Sequence, residues 1–386
     1  NLGSSDRLGG DVTVSSGTLG MGAYNDTVSA FEISGGTLGG SGTLTSSSGY
    51  ALKGGTVSAN LGTGTATASS GTTAVNGTLA GNLALNGGNV NLGSANRLAA
   101  NSAVTVTSGT LGLGGNETIG SITGSGSVNL GANTLAVGGD DSSSSFGGAM
   151  SGSGGGLKKS GTGTFTLTAT NTYDGATTVE AGKLVVSGSI ASSAVTVTNT
   201  GTIGGSGSVG ALTINGGGIL SPGNSPGTLY AASSTWGNGG KYDWEIFSLT
   251  NNPGTSWDLL SVTPGSLDLT GLSAGGYTIN LITLSGPSTQ GALADFNSAT
   301  NYSNWLIASA PTISGFNANL FNLDSSLFVG ATGTFGIEQR AITGGQGLFL
   351  TYNGGGEPIP EPGTWAAAAL LAGCAGFLRW RKRRES

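Results

Sequence analysis

The sequence predicts an all-β chain: a parallel β-helix, then a β-rich capping module, then one short C-terminal transmembrane helix. Three observations carry this. Gly makes up 76 of 386 residues, far above the usual ~7%. Only 8% of residues are charged, against a usual ~25%. A short motif also returns at near-constant spacing: GTL begins at Gly17 and Gly36, GTV at Gly55 and GTL again at Gly77, in steps of about 20 residues. Collagen is excluded, because Pro is scarce and no Gly-X-Y period exists. Disorder normally requires low hydrophobicity with high charge, and the chain has neither. An α-helical body fails because Gly costs ~1 kcal/mol per helical position and no 3.6-residue apolar stripe runs through it. A globular β-sandwich leaves the regular beat unexplained.

Residues 1–228 read as the solenoid. A step of about 20 residues is one coil of three short strands and three turns. Val, Leu and Ile alternate inward, Thr and Ser outward, and Gly and Asn supply the corners. Ten or so coils at ~4.8 Å each make a rod of about 50 Å. A longer repeat overlies the short one: NLGSSDRL at the start returns as NLGSANRL at residues 91–98, each followed by VTVxSGTLGxG. Arg7 and Arg97 hold the same place in the two copies, which favours a structural role. The chain opens at Asn1 inside this repeat, without Met, and reads as a fragment lacking its N-terminus.

Within the rod, GLKKSGTGTFTLTATNTYDGATTVEAGKLVVSG, residues 156–188, resembles the autotransporter-associated β-strand repeat. The matching pieces are Lys158-Lys159, GTGTFTL, NTYDG, TTV and GKLVV. The resemblance implies a right-handed parallel β-helix in a surface-exposed or secreted bacterial protein. The residues agree: Phe165 and Leu167 alternate with Thr164, Thr166 and Thr168, giving one apolar and one hydroxylated face. Val179 is placed inside with Leu167. ILSPGNSPGTL, residues 219–229, resembles the segment that closes such arrays.

From residue 229 to 353 the texture changes. Trp236, Tyr242, Trp244 and Trp257 arrive close together and the strands lengthen, as in KYDWEIFSL and GYTINLITL. A solenoid end needs covering, so this module is read as a cap. The aromatic group could stack sugar rings, but the period-2 placement of Tyr242 and Trp244 favours core packing. Asp243 and Asp258 are read as loop or outward-facing acids.

Composition narrows the chemistry. His is absent and the one Cys, Cys374, lies in the C-terminal tail, which excludes Ser-His-Asp triads, His-bound metals and disulfide frameworks. No cofactor or metal is implied. Asp140-Asp141, in a Gly/Ser loop, is the one acidic pair that could hold a cation, and a solvated loop is the simpler reading. Lys158 and Lys159 belong to the repeat pattern. Ended after Pro362, the chain carries 8 basic and 18 acidic residues, which argues against nucleic acid.

The tail is built differently. Residues 354–363 form a Gly/Pro linker, residues 364–378 are expected to form the transmembrane helix, and residues 379–386 are basic. The apolar stretch from Gly363 is 16 residues, about 24 Å as a helix against a ~30 Å bilayer core. Arg379, Arg381, Lys382, Arg383 and Arg384 fix that end in the cytoplasm, with the rest of the chain outside the inner membrane. Pro360, Glu361, Pro362 and Gly363, the short apolar stretch and the Arg cluster together resemble the PEP-CTERM sorting signal. That resemblance implies an exosortase as processing partner, transient residence at the inner membrane, and delivery to the cell surface or matrix.

The function expected is non-enzymatic: a structural or adhesive rod whose Thr/Ser/Asn faces contact exopolysaccharide. The alternative from another class is a β-helical polysaccharide lyase or hydrolase, which would need paired acids on the rod. A third reading, an autotransporter passenger, requires a C-terminal barrel of roughly 12 strands.

Overall fold

The computed structural model describes residues 2–355 apart from Asn251 and Pro287. They form a right-handed-type β-solenoid of about 12 turns. The first coil shows the pattern, with strands Asp11–Val14, Thr18–Gly20 and Asp26–Val28 on its three sides. Each strand pairs in parallel with its counterpart one coil on. Asp11 pairs with Ala30, Phe31 with Tyr50, Tyr50 with Ala66 and Ala66 with Leu83. Twelve such steps carry this side from Asp11 to Lys241. At ~4.8 Å per step, that is a rod of about 58 Å.

Period-2 alternation sends every second side chain inward, and parallel register stacks these into columns. One column runs Ile33, Leu52, Ala68, Leu85 and Val106, and another segment of it runs Phe146, Leu167 and Val186. All eight are fully buried. A second side stacks Ile119, Val137, Lys159, Val179, Val197, Ile214 and Trp236. Leu167 and Val179 point inward, whereas Thr166 is partly exposed on the outer face, as the sequence pattern predicts.

The short beat holds for two steps and then misleads. Gly17, Gly36 and Gly55 occupy one corner with φ of 67°, 62° and 90°. A Cβ on Gly36 would lie 2.6 Å from the Gly17 carbonyl oxygen, so only Gly fits this stacked left-handed turn. After Val57, however, the next partner on this side is Val75, which falls before Gly77. The GTL at Gly77 belongs to a different side, where Leu79 bridges Leu61 and Leu98. Two sides of the coil use the same tripeptide, and spacing alone does not separate them.

Side-chain pegs bind the coils at their corners. Asn25 accepts from Thr43 N, Asn60 from Thr78 N, Asn89 from Thr110 N and Asn116 from Thr134 N, at 2.8–3.0 Å in every case. Each peg reaches across one coil and satisfies a backbone donor left over where the chain turns.

Parallel stacking continues past Lys241, but the excursions lengthen. Lys241 pairs with Thr278 and Tyr277 with Phe321, so each return takes close to twice the chain of a rod coil. An antiparallel hairpin, Thr334–Ile342 with Gly345–Asn353, then closes against Tyr302–Ala310. The interior here is aromatic: Trp236 stacks on Tyr277 at 4.6 Å and meets Tyr242 and Phe321 edge-on. Among the described residues the only helical element is the 3-10 turn Ala318–Leu320, and no helix is long and apolar enough to cross a membrane. The expected transmembrane helix at 364–378 lies outside the described residues.

Candidate functional site

The two Arg copies mark a structural device. Arg7 N and Leu8 N donate to the Asp26 carboxylate at 2.8 and 3.0 Å. Arg97 N and Leu98 N donate in the same way to Glu117, at 2.7 and 3.1 Å. Asp26 and Glu117 are almost fully buried, in a column otherwise continued by Leu44, Leu61, Leu79 and Leu135. Each carboxylate thus takes the place of a Leu and grips the backbone of the preceding coil with both oxygens. Burial pushes the Glu117 carboxyl up, against the two N–H donors and the Arg97 charge. Sequence reading singled out the Arg residues and passed over their partners, although an acid lies one coil beyond each Arg-Leu pair.

The acidic pair is likewise tied into the coil. Asp140 accepts from Ser142 N at 3.0 Å and Ser142 Oγ at 2.7 Å. These bonds outweigh its slight desolvation and hold its carboxyl below the usual range. Asp141, at φ 58°, accepts from Thr162 N of the next coil at 2.7 Å. Among the described residues no group of three Asp, Glu, His or Cys is placed to hold a metal ion.

The lysine pair divides. Lys158 lies outward and pairs with Glu180 at 2.8 Å, an exposed contact of small energetic value. Lys159 points inward between Val137 and Val179 and is 1% exposed. Its Nζ donates to the carbonyls of Ser160, Gly161 (2.8 Å) and Ala181 (3.3 Å), which spends all three ammonium donors at one corner of two coils. A Cβ on Gly182, beside that Nζ, would lie 2.3 Å from the Gly163 carbonyl oxygen and 2.5 Å from that of Gly161, so Gly is required there. Burial pulls the ammonium below its ordinary range and the Asp141 charge partly offsets this.

All four aromatics singled out from sequence are core. Trp236, Tyr242 and Trp244 are fully buried and Trp257 is 5% exposed. Three of them serve backbone with their polar atoms: Tyr242 Oη donates to Ile307 O, Trp244 Nε1 to Asp258 O and Trp257 Nε1 to Leu306 O, each at 3.0 Å, whereas Trp236 Nε1 is buried with no partner in the protein.

Asp258 corrects the sequence reading. Asp243 does face outward and accepts from Asn280, but Asp258 is completely buried. Gly227 N and Glu245 N donate to its two oxygens at 2.8 and 3.1 Å. Burial, and then the nearby Glu245 carboxylate, push its carboxyl well above the usual range, against those donors and Lys183. Glu245 in turn accepts from Ser225 Oγ. One oxygen of Asp258 holds Gly227 of the loop Gly223–Gly227 and the other holds Glu245 of the strand Lys241–Ile246, so it presents no free face to a substrate.

The sorting residues Pro360, Glu361, Pro362 and Gly363, and the basic residues Arg379, Arg381, Lys382, Arg383 and Arg384, lie outside the described residues. No curated protein matches the chain. Residues 157–186, the coil built around Lys159 and Leu167, match the passenger-associated-transport-repeat family, and that repeat points to a protein of the cell surface or extracellular space.

Proposed function

We propose that the chain is a non-enzymatic structural or adhesive rod of the cell surface or exopolysaccharide matrix, delivered through its C-terminal signal. What carries the reading is a conjunction: a passenger-type repeat in a stacked β-rod, and a tail of different composition with five basic residues among positions 379–384. The tail supplies three parts in order. Pro360 and Pro362 carry no backbone N–H, which suits a segment read by a membrane protease of the exosortase kind. The apolar stretch holds the chain at the inner membrane. The Arg cluster stops translocation and sets orientation. A non-catalytic role is supported by where the candidates sit: Asp26, Glu117, Lys159 and Asp258 each spend their polar atoms on backbone.

Intact mass of protein recovered from the cell surface tests this. Mature protein is expected to lack Trp365 to Ser386. Replacing Arg379, Arg381, Lys382, Arg383 and Arg384 together by Ser is expected to leave the chain unprocessed. Surface protein that still carries Cys374 and the full tail contradicts the sorting reading and leaves a plain anchor in its place.

A further inference from the structure

The aromatic residue that borders an open cleft is none of the four that the sequence brings forward. It is Tyr230, on the outer side of strand Thr228–Trp236, with 45% of its surface exposed. Its register partners on the flanking strands are Ser208 and Ser261, so only small hydroxylated side chains lie directly above and below it. The ring borders a shallow cleft lined also by Ser206, Asn224, Pro226, Thr228 and Gly254. We infer that this cleft binds a neutral saccharide, one pyranose stacked on Tyr230 with its hydroxyls bonded to Asn224, Ser206 and Thr228. The inference rests on the surface-protein reading for its ligand and on the cleft for its chemistry.

Preorganisation is the first argument. The rim, Gly223–Gly227, is tied at three points: Gly223 exchanges backbone hydrogen bonds with Gly205 at 2.8 and 3.0 Å, Ser225 Oγ donates to Glu245, and Gly227 N donates to the buried Asp258. The opposite wall is as tight. Gly254 N donates to Trp257 O at 2.7 Å, and a Cβ on Gly254 would lie 2.0 Å from Thr228 Oγ1. A buried acid that anchors the rim of an exposed cleft lowers the ordering cost of binding there. Asp258 acts on this site as a positioning residue.

Ligand class follows from the lining. A flat ring with an amide and two hydroxyls suits the C–H face and hydroxyls of a pyranose. No Lys or Arg lines the cleft, Glu245 stands behind Ser225, and the chain carries a net charge of −6. A uronate or sulfated sugar finds no counter-charge here. Tyr24, 41% exposed on the first coil, serves as an internal control.

The test is electrophoresis of the full chain through gels containing hydroxyethyl cellulose, galactomannan or dextran, with alginate and polygalacturonate as acidic counterparts. At least one neutral polymer is expected to retard the protein. Tyr230→Ala should weaken that retardation about tenfold, an effect of about 1.4 kcal/mol. Tyr230→Phe keeps the ring and should keep the binding, and Tyr24→Ala should leave it unchanged. Equal retardation of wild type and Tyr230→Ala overturns the site, as does retardation by the acidic polymers alone. Protein recovered from the surface that passes every neutral gel freely sinks the cleft while the surface reading stands.

Discussion

The repeat coils and the terminal coils solve one problem in two ways. From Asp11 to Lys241 the stack rises in short steps, and its columns are filled by Val, Leu and Ile. Beyond Lys241 the returns to Thr278 and then Phe321 are far longer, and the interior holds Trp236, Trp244, Tyr277 and Phe321. Short steps leave little backbone unpaired, and a corner Asn, one Lys and the inward acids Asp26 and Glu117 satisfy what remains. Long excursions bring in loops with donors of their own, and there too an acid is buried: Asp258 takes Gly227 N and Glu245 N. Lys159 answers carbonyls and Asp258 answers N–H groups. The sign of each buried charge follows the backbone it serves.

Three experiments would break or sharpen that contrast. The largest effect is expected at Trp236, where the aromatic stack meets the last apolar column. Trp236→Ala should cost about 3–5 kcal/mol. Denaturant unfolding followed by Trp fluorescence should show the terminal coils melting before the rod. One unchanged transition would mean that the stack does not hold the end.

Next comes the lysine corner. Lys159→Met keeps the stem in its column and strips the carbonyls of Ser160, Gly161 and Ala181 of their donor, a loss of about 1–3 kcal/mol. Lys158→Met removes only an exposed ion pair and should change stability by about 0.5 kcal/mol or less. Equal losses in matched denaturant titrations would make Lys159 an ordinary surface lysine.

A smaller effect is expected from pH. The native chain holds a proton on Asp258 where the unfolded chain has released it. That contribution is complete below the ordinary carboxylate range and is lost as pH rises through the raised native value. Unfolding free energy measured across that window should therefore fall, and Asp258→Asn should flatten the fall. A slope of opposite sign would mean that the two N–H donors outweigh burial.

Sequence reading reached the class of fold because alternation and corner chemistry are statistical, repeated in every coil. Leu167, Val179 and Thr166 fell on their sides for that reason. It missed what happens once. Asp26 and Glu117 occupy positions where their neighbours in the column are Leu, and nothing local marks an inward acid. Lys159 and Lys158 are adjacent and chemically identical, and only register with Val137 and Val179 separates them. Asp258 is buried by excursions whose lengths the repeat does not set. The GTL at Gly77 shows the limit of spacing itself, since one motif serves two sides of the coil. Tyr230 escaped notice because the four other aromatics, three of them Trp, drew attention inward.

The central claim is that every coil has an inside that carries stability and an outside left free for contact. Leu167 and Thr166 test it most directly, being adjacent in one strand of the matched repeat and pointing to opposite sides. Leu167→Ala opens a cavity between Phe146 and Val186 and should cost about 2–5 kcal/mol. Thr166→Ala, between Ser145 and Val185 on the outer face, should cost about 0.5 kcal/mol or less. Denaturant unfolding of the two variants side by side should show that gap. Equal losses at both positions would contradict the assignment of faces, and with it the account of the rod.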